Sequence, residues 1–540
     1  MTDRRSNPWA ILLTLSLGFF MTLLDLTIVN IAIPDIVDRL DASLDQALWV
    51  MNAYVLVLAV LLITGGRLGD LLGKRNLFAA GVAVFTLASL ACAIAQDPTQ
   101  LIAARAAQGL GAALLMPQTM AIIIDTFPAE RRGAALGVWG AVAGLSTIAG
   151  PTVGGLLVTT LDWRWIFIVN LPIGVVVLVL SALFLPAPTR TVRHRFDITG
   201  VLLASAALFC LTFALTEGQK YEWNAAIWGL LGAAAVLFAV FLLHQRTRQD
   251  AEPLVPFSLF RDRNFAILSL VGGAVSVGMI GIVLPITLYL QSVLGFSALK
   301  AGLVMAPSSV ASMLLAPVAG RLSDRIGGRF ILMGGLVLFA VGSLWLALAA
   351  EVGAPWTAFV LPFLVSGIGL GGVFAPMATE ATRHVPPRLA GAASGVNNTI
   401  RQVGSVLGGA LVGAVLQNRL AEGLREEAAA RAAALPPEIR TRFVDGFADA
   451  AKGGLEVGAS GHGSMPQLPA TVPPEVARRV QEAAGEVFAH GYVQAILPTL
   501  TVPVLIMLAG AAACLGVRRY RTPAAAPAPE ERPTPDGQQV

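Results

Sequence analysis

"GRLGDLLGKR", residues 66–75, returns as "GRLSDRIGGR" at residues 320–329, an offset of 254. Each copy ends one long apolar run and begins another. Downstream, "QGLGAALLMP" (108–117) is echoed by "SGIGLGGVFAP" (366–376), and "ERRGAALG" (130–137) by "PRLAGAASG" (387–395), at an offset near 258. Repetition in the same order at this distance means two equivalent halves. Gly66 and Gly73, with Gly320 and Gly327 in the second copy, suit a tight turn and close helix approach. Asp70, matched by Asp324, suits the positive start of the helix that follows it. Lys74 and Arg75 anchor the first loop and can pair with acids on neighbouring helix ends; Arg325 belongs to the second. A phosphate-binding loop is excluded. Leu68 stands where glycine is required, and Arg75 where Ser or Thr should hold magnesium.

The halves are made for a bilayer. Of 540 residues, 56% are hydrophobic and 13% charged, against about 25% charged in soluble domains. This excludes a soluble enzyme or nucleic-acid binder and points to an all-α polytopic membrane protein. A crossing helix needs about 20 mostly apolar residues. Fourteen such runs can be marked, at 9–33, 47–66, 76–96, 99–124, 134–159, 164–185, 198–217, 224–244, 265–291, 300–320, 329–350, 355–378, 391–416 and 492–515. The repeats fall on runs 2 and 10, so runs 1–6 (9–186) and 9–14 (264–416 with 492–515) are the two six-helix halves. Runs 7 and 8 (198–244) are an inserted pair. The first run starts like a signal peptide but continues too far and lacks a cleavage site, so it reads as a span.

Charge sets the orientation. Alternate short loops and both termini hold 23 Lys and Arg, and the other loops hold four: Arg39, Arg164, Lys220 and Lys300. The positive-inside rule places both termini in the cytoplasm of a bacterial cytoplasmic membrane. The long connection 417–491 is then external, with one or two amphipathic helices and room for a periplasmic partner. Residues 1–8 are a cytoplasmic start, and the Pro-rich tail 516–540 reads as disordered. Cys92, Cys210 and Cys514 are scattered through apolar runs and make neither a disulfide framework nor a metal site.

Three charges lie deep in apolar runs: Asp25, Arg105 and Arg401. A charge there is costly and marks function or a structural pair. Asp25 lies roughly 12 Å and Arg105 roughly 9 Å below the outer surface, at 1.5 Å per residue. They can pair directly or through Asn30, Gln108 or water. Thr14, Gly18, Thr22 and Asp25 share a helix face, expected to look into a central cavity. Burial favours the neutral acid and a nearby arginine the anion, so such a carboxylate can alternate between proton and substrate. Run 13 offers Ser394, Asn398, Arg401 and Ser405 on one face, with Gln402 beside it. Arg401 can touch a polar or anionic cargo group or pair with run 1. Thr22, Asn30, Gln108, Asn398, Arg401 and Gln402 are the cavity candidates. Glu217 reads as part of a solvated turn.

Several stretches resemble a known family. The two loop copies look like the signature loops of the major facilitator superfamily. "LDLTIVNIAIP" (24–34) resembles the first-helix motif of its 14-helix drug:proton antiporters, the EmrB/QacA branch. "RAAQGLGAA" (105–113), "GLSTIAGPTVGGLL" (144–157) and "LDWRWIFIVNLPIG" (161–174) fit the same branch in order. The resemblance implies a proton-driven exporter of hydrophobic drugs or antibiotics, with Asp25 and Arg105 coupling protons and no cofactor beyond the gradient. It implies an antiport helix in which Gly144, Gly150, Pro151, Gly154 and Gly155 form a bent, tightly packed hinge against the other half. Acidic residues that several cation exporters carry in the thirteenth helix are absent here, which argues against dicationic cargo. A same-fold transporter of a lipid or metabolite, or a non-transporting membrane sensor or assembly protein, stays open.

Overall fold

The computed structural model describes residues 7–128, 131–186, 197–218, 220–249, 253–386, 389–432, 440–441, 443–447 and 474–518. The expected cytoplasmic start, most of the expected tail, and the Gly- and Pro-rich middle of the long connection lie largely outside them. Among the described residues every regular element is helical, as a bilayer demands, because lipid offers backbone groups no partner.

Seven helices build the first half: α1 (Pro8–Leu40), α2 (Leu44–Leu72), α3 (Lys74–Ala93), α4 (Pro98–Thr126), α5 (Arg132–Thr160), α6 (Trp165–Ile168) and α7 (Asn170–Phe184). An inserted pair follows, α8 (Ile198–Glu217) and α9 (Ala225–Thr247). The second half holds α10 (Ser258–Arg261), α11 (Arg263–Leu288), α12 (Ala298–Ile326), α13 (Arg329–Leu348), α14 (Thr357–Gly371), α15 (Phe374–Thr382), α16 (Ala390–Ala432) and α17 (Pro474–Ala513). Helix starts are written in the sequence. Asn7 caps the Trp9 amide ahead of Pro8, Ser43 and Gln46 form a reciprocal capping box, and Asp97 caps Gln100 beside Pro98.

Thirteen helices among the described residues are long and apolar enough to cross a membrane. Where the remaining expected run lies, at 134–159, stands the 29-residue α5. Two expected spans are each divided. Run 6 breaks at Val169 into α6 and α7, and run 12 breaks at Gly372–Val373 into α14 and α15. The inserted pair docks on α2, with Asn52 Nδ2 donating to Glu217 at 3.2 Å. Glu217 is therefore buried, not part of a solvated turn. At the other end of the pair, burial alone would raise the Asp197 carboxyl. Hydrogen bonds from His244, the Gly200 amide and Gln245 instead hold it below the usual carboxylate range.

The long connection departs from expectation. The expected amphipathic helices continue the membrane helices rather than standing apart; α16 runs unbroken for 43 residues and α17 for 40, with a short helical stretch at 443–447 between them. Forty-three residues span about 65 Å, twice the hydrocarbon thickness of about 30 Å. Beyond residue 416 the two helices form a hairpin. Leu416, Leu420, Leu424, Ala428 and Ala432 recur every four residues and are buried with Val480, Ala484, Val487 and Tyr492. Gly423 and Gly491 let the backbones touch, and Gln494 donates to Glu427 at 2.7 Å.

Candidate functional site

The deep polar groups of the first half converge because α1, α3, α4 and α7 pack around one another. Asp25 comes from α1, Arg105 and Gln108 from one face of α4, Ser89 and Cys92 from α3, and Asn170 from the first residue of α7. All are at most 1% exposed, so each polar atom needs a protein partner. Arg105 forms a direct ion pair with Asp25 Oδ2. Gln108 Nε2 and Asn170 Nδ2 donate to Asp25 Oδ1 at 2.8 and 3.2 Å. Arg105 also donates to Gln108 Oε1 at 2.7 Å and through Nε to the Val50 carbonyl at 3.0 Å. Its guanidinium carbon lies 4.5 Å from the centre of the Tyr54 ring. Asn170 and Gln108 both reach Ser89 Oγ, which donates to the Phe167 carbonyl at 3.0 Å. The result is a network around one carboxylate, with three donors on its two oxygens, in which Asn170 Oδ1 is left without a hydrogen-bond partner among the described residues.

Three of the cavity candidates move. Thr22 is buried and its hydroxyl turns back to the Phe19 carbonyl at 2.8 Å. A Cβ at Gly18 would strike Phe78 of α3 at 2.8 Å and meet Val177 of α7 at 3.6 Å. The face bearing Thr14, Gly18, Thr22 and Asp25 therefore looks into its own half, not into a cavity between halves. Asn30 stays out of the network. It is exposed and donates to Leu26 on its own helix at 3.1 Å; five residues carry it about 140° around from Asp25. Gln108 touches both charges but is fully buried inside this network, so it does not line a cavity between the halves. Asn170, Ser89 and Tyr54 are the members the sequence reading missed. Asn170 carried the same signal as Asp25, a polar residue inside an apolar run.

The repeated loops form a second constellation. Asp324, near the end of α12, accepts from the Gly133 and Ala134 amides at the start of α5, at 2.9 and 3.0 Å. Asp70, near the end of α2, accepts from the Gly391 and Ala392 amides at the start of α16, at 3.0 and 2.9 Å. Each carboxylate thus meets a helix start in the opposite half, where the helix dipole favours it. The expectation that Asp70 serves the helix directly after it is corrected, because Asp70 precedes the turn and its side chain points across the interface. Glycines make the approach possible. A Cβ at Gly66 would lie 2.5 Å from the Gly391 oxygen, and one at Gly320 2.0 Å from the Gly133 oxygen. Gly73 and Gly327 turn the chain with φ of 95° and 87°. Lys74 pairs with Asp125 at 2.7 Å, Arg75 donates to the Ala182 carbonyl at 3.1 Å, and Arg325 is exposed. Ser394 adds a bond to the Pro117 carbonyl at 2.9 Å. These links between halves cluster at the motif-loop end.

The antiport stretch divides its contacts. A Cβ at Gly144 would lie 3.0 Å from the Ser309 oxygen of α12 in the other half. Gly150 and Gly154 lie on Thr27 and Ile28 of α1, in their own half, while a Cβ at Gly155 would meet no other part of the described residues within 4 Å. The expected packing of the whole stretch against the other half holds only for its first glycine, because α5 lies between α1 and α12. The Pro151 side chain lies outside the described residues. In the second half, Asn398 is buried and donates to Ser394 at 3.4 Å. Arg401 and Gln402 are half-buried, and the Arg401 guanidinium lies over the Phe374 ring at 4.9 Å. No ion pair joins Arg401 to α1 among the described residues.

The chain compares closely with known transporters. It is 34% identical over 533 residues to the tetracenomycin C resistance and export protein of Streptomyces glaucescens, covering 98% of this chain and 95% of that one. It is 41% identical over 415 residues to an uncharacterized MFS-type transporter, Rv1250, of Mycobacterium tuberculosis, covering 77% and 71%. It is 35% identical over 417 residues to the methylenomycin A resistance protein of Streptomyces coelicolor, covering 77% and 87%. Among solved structures, the human organic anion transporter MFSD10 aligns with a TM-score of 0.56 at 12% identity, over 93% of this chain and 99% of that one. The proton:xylose symporter XylE aligns with a TM-score of 0.53 at 16% identity, over 75% and 87%. The sequence profile of the Major Facilitator Superfamily matches residues 15–409, and with two repeated halves latched through their signature loops, the chain belongs to the major facilitator superfamily.

Proposed function

We propose that the protein is a proton-coupled antiporter that exports hydrophobic drugs or antibiotics across a bacterial cytoplasmic membrane, with both termini inside. The observation that carries this reading is the buried Asp25–Arg105 pair, enclosed by Gln108 and Asn170. Burying two charges is expensive, and a hydrophobic replacement is often at least as stable, so stability alone is a weak reason for the pair. The names of the curated relatives supply the export and resistance side of the reading.

In this account the Asp70 and Asp324 latches hold the halves together at the cytoplasmic end. A proton reaching Asp25 turns an acceptor oxygen into a donor facing Arg105 N–H groups, which must then move away. That loosens α1 from α4. The α5 helix rests on α1 through Gly150 and Gly154 and on α12 near Gly144, so a shift of α1 is passed to the other half. The halves rock, the latches open and the cargo site faces the cytoplasm; release of the proton inward restores the pair.

Accumulation of a fluorescent dye in cells with and without the protein tests the reading. Expression should lower accumulation, a protonophore should abolish the difference, and Asp25→Asn should behave like the empty vector. Protonophore-insensitive efflux, or full efflux by Asp25→Asn, would refute proton coupling at this residue.

A further inference from the structure

The deep charges do not balance. Asp25 cancels Arg105, but Arg401 has no acidic partner among the described residues, and its buried Nε has no hydrogen-bond partner. Arg401 is eleven residues into α16, about 16 Å from the motif-loop end and near mid-bilayer. An uncompensated cation at this depth is costly to keep without a use.

Its surroundings fit a particular use. The guanidinium stacks over Phe374, 4.9 Å from the ring centre, and its stem lies against Gly272 of α11. Phe374 opens α15, immediately after the break at Gly372–Val373, so the positive start of a half-helix lies beside the cation. Broken helices of this kind mark cargo sites in transporters. Phe374 also approaches Gly140 of α5 in the opposite half, within 3.7 Å of where a Cβ would stand. The site therefore lies on the interface that rocking would open and close. Asn398 and Gln402 flank Arg401 on α16 with further polar groups.

We propose that Arg401 and Phe374 form a counter-ion site for a carboxylate or phenolate on a flat hydrophobic cargo. Arginine can donate two parallel hydrogen bonds to such a group, and the ring supplies a surface for the apolar body. The assignment rests on the export reading and narrows its substrate class from hydrophobic drugs in general to hydrophobic anions. The Asp25 network does not take part in this contact. Its half handles the proton while the other half handles the cargo charge.

Two xanthene dyes test this. Fluorescein carries a carboxylate and a phenolate; rhodamine 123 presents a similar ring system as a cation. Binding of each to the full chain is measured by fluorescence anisotropy in phosphatidylcholine nanodiscs. The wild-type protein should bind fluorescein at least ~10-fold more tightly, about 1.4 kcal/mol. Arg401→Gln should remove that preference, and Arg401→Lys should keep part of it, with both variants monodisperse by gel filtration. Equal binding, a preference for rhodamine 123, or binding of neither dye by the wild type would overturn the assignment. So would Arg401→Gln weakening both dyes equally, which is a structural effect. Loss of fluorescein binding in nanodiscs containing phosphatidylglycerol would also overturn it, in favour of a lipid phosphate. Proteoliposomes that bind fluorescein selectively but move neither dye under a proton gradient would refute the export reading alone.

Discussion

Asp25 and Arg105 are held by more than each other. Gln108 bridges them, Asn170 supplies a further donor, and Val50 and Tyr54 receive the far side of the guanidinium. Removing one member of a buried pair leaves an uncompensated charge and costs about 3–5 kcal/mol, whereas removing both costs much less. Arg105→Gln alone should therefore destabilise the protein strongly, and adding Asp25→Asn should recover at least half of the loss. Thermal unfolding of the single and double variants in nanodiscs measures this, and additive losses would mean that the pair is not a unit. Much of this site was legible in the sequence, because Asp25, Arg105 and Gln108 are polar residues in apolar runs. Depth along the helix could be counted, but direction could not. The spacing of Thr22 and Asp25 defined a face without saying whether it turned toward the other half or toward α3 and α7. Asn30 was misplaced for a reason the sequence did contain, since five residues turn a helix by about 140°.

Among elements, the α2–α16 and α12–α5 contacts are the joints that set the conformation. Each sets a carboxylate on two amides at a helix start over glycine-lined backbone. An acidic group at a helix start contributes about 0.3–1 kcal/mol, and up to ~2 when partly buried. That is enough to shift a two-state equilibrium roughly two- to fivefold, and up to about thirtyfold at the upper figure. Asp70→Ala should raise maleimide labelling of Ser394→Cys by about that factor, in a background with the three native cysteines replaced by Ala. Ser394 is buried beside Pro117 only while the halves are closed there. Unchanged labelling would show that the latch does not hold the closed state. The repeat predicted that the loops are equivalent, and it marked the glycines. Which helix start each aspartate meets lies over 100 residues away, and no local pattern encodes it.

For the whole molecule, composition and repetition were sufficient to place two halves and an inserted pair in a membrane. They were insufficient for the hairpin of α16 and α17. Hydropathy falls away where a helix leaves the bilayer, although nothing stops the helix there. Ala, Glu and Arg are good helix formers, and every fourth residue from Leu416 to Ala432 is small or apolar. Gly423→Val should wedge the hairpin apart at Gly491, where a Cβ would come within 2.8 Å of backbone. It should lower stability by about 1–3 kcal/mol and leave the Ser394→Cys labelling unchanged. Thermal unfolding beside labelling separates the two, and altered labelling would mean that the hairpin takes part in the rocking of the halves.

The central claim is that Asp25 links proton movement to cargo movement. Its most direct measurement is transport in proteoliposomes, with and without an imposed pH gradient. The wild-type protein should concentrate its cargo against a gradient when protons flow the other way. Asp25→Asn should still exchange labelled for unlabelled cargo at equilibrium but fail to concentrate it at any pH. Gradient-driven accumulation by Asp25→Asn at the wild-type level would contradict the account.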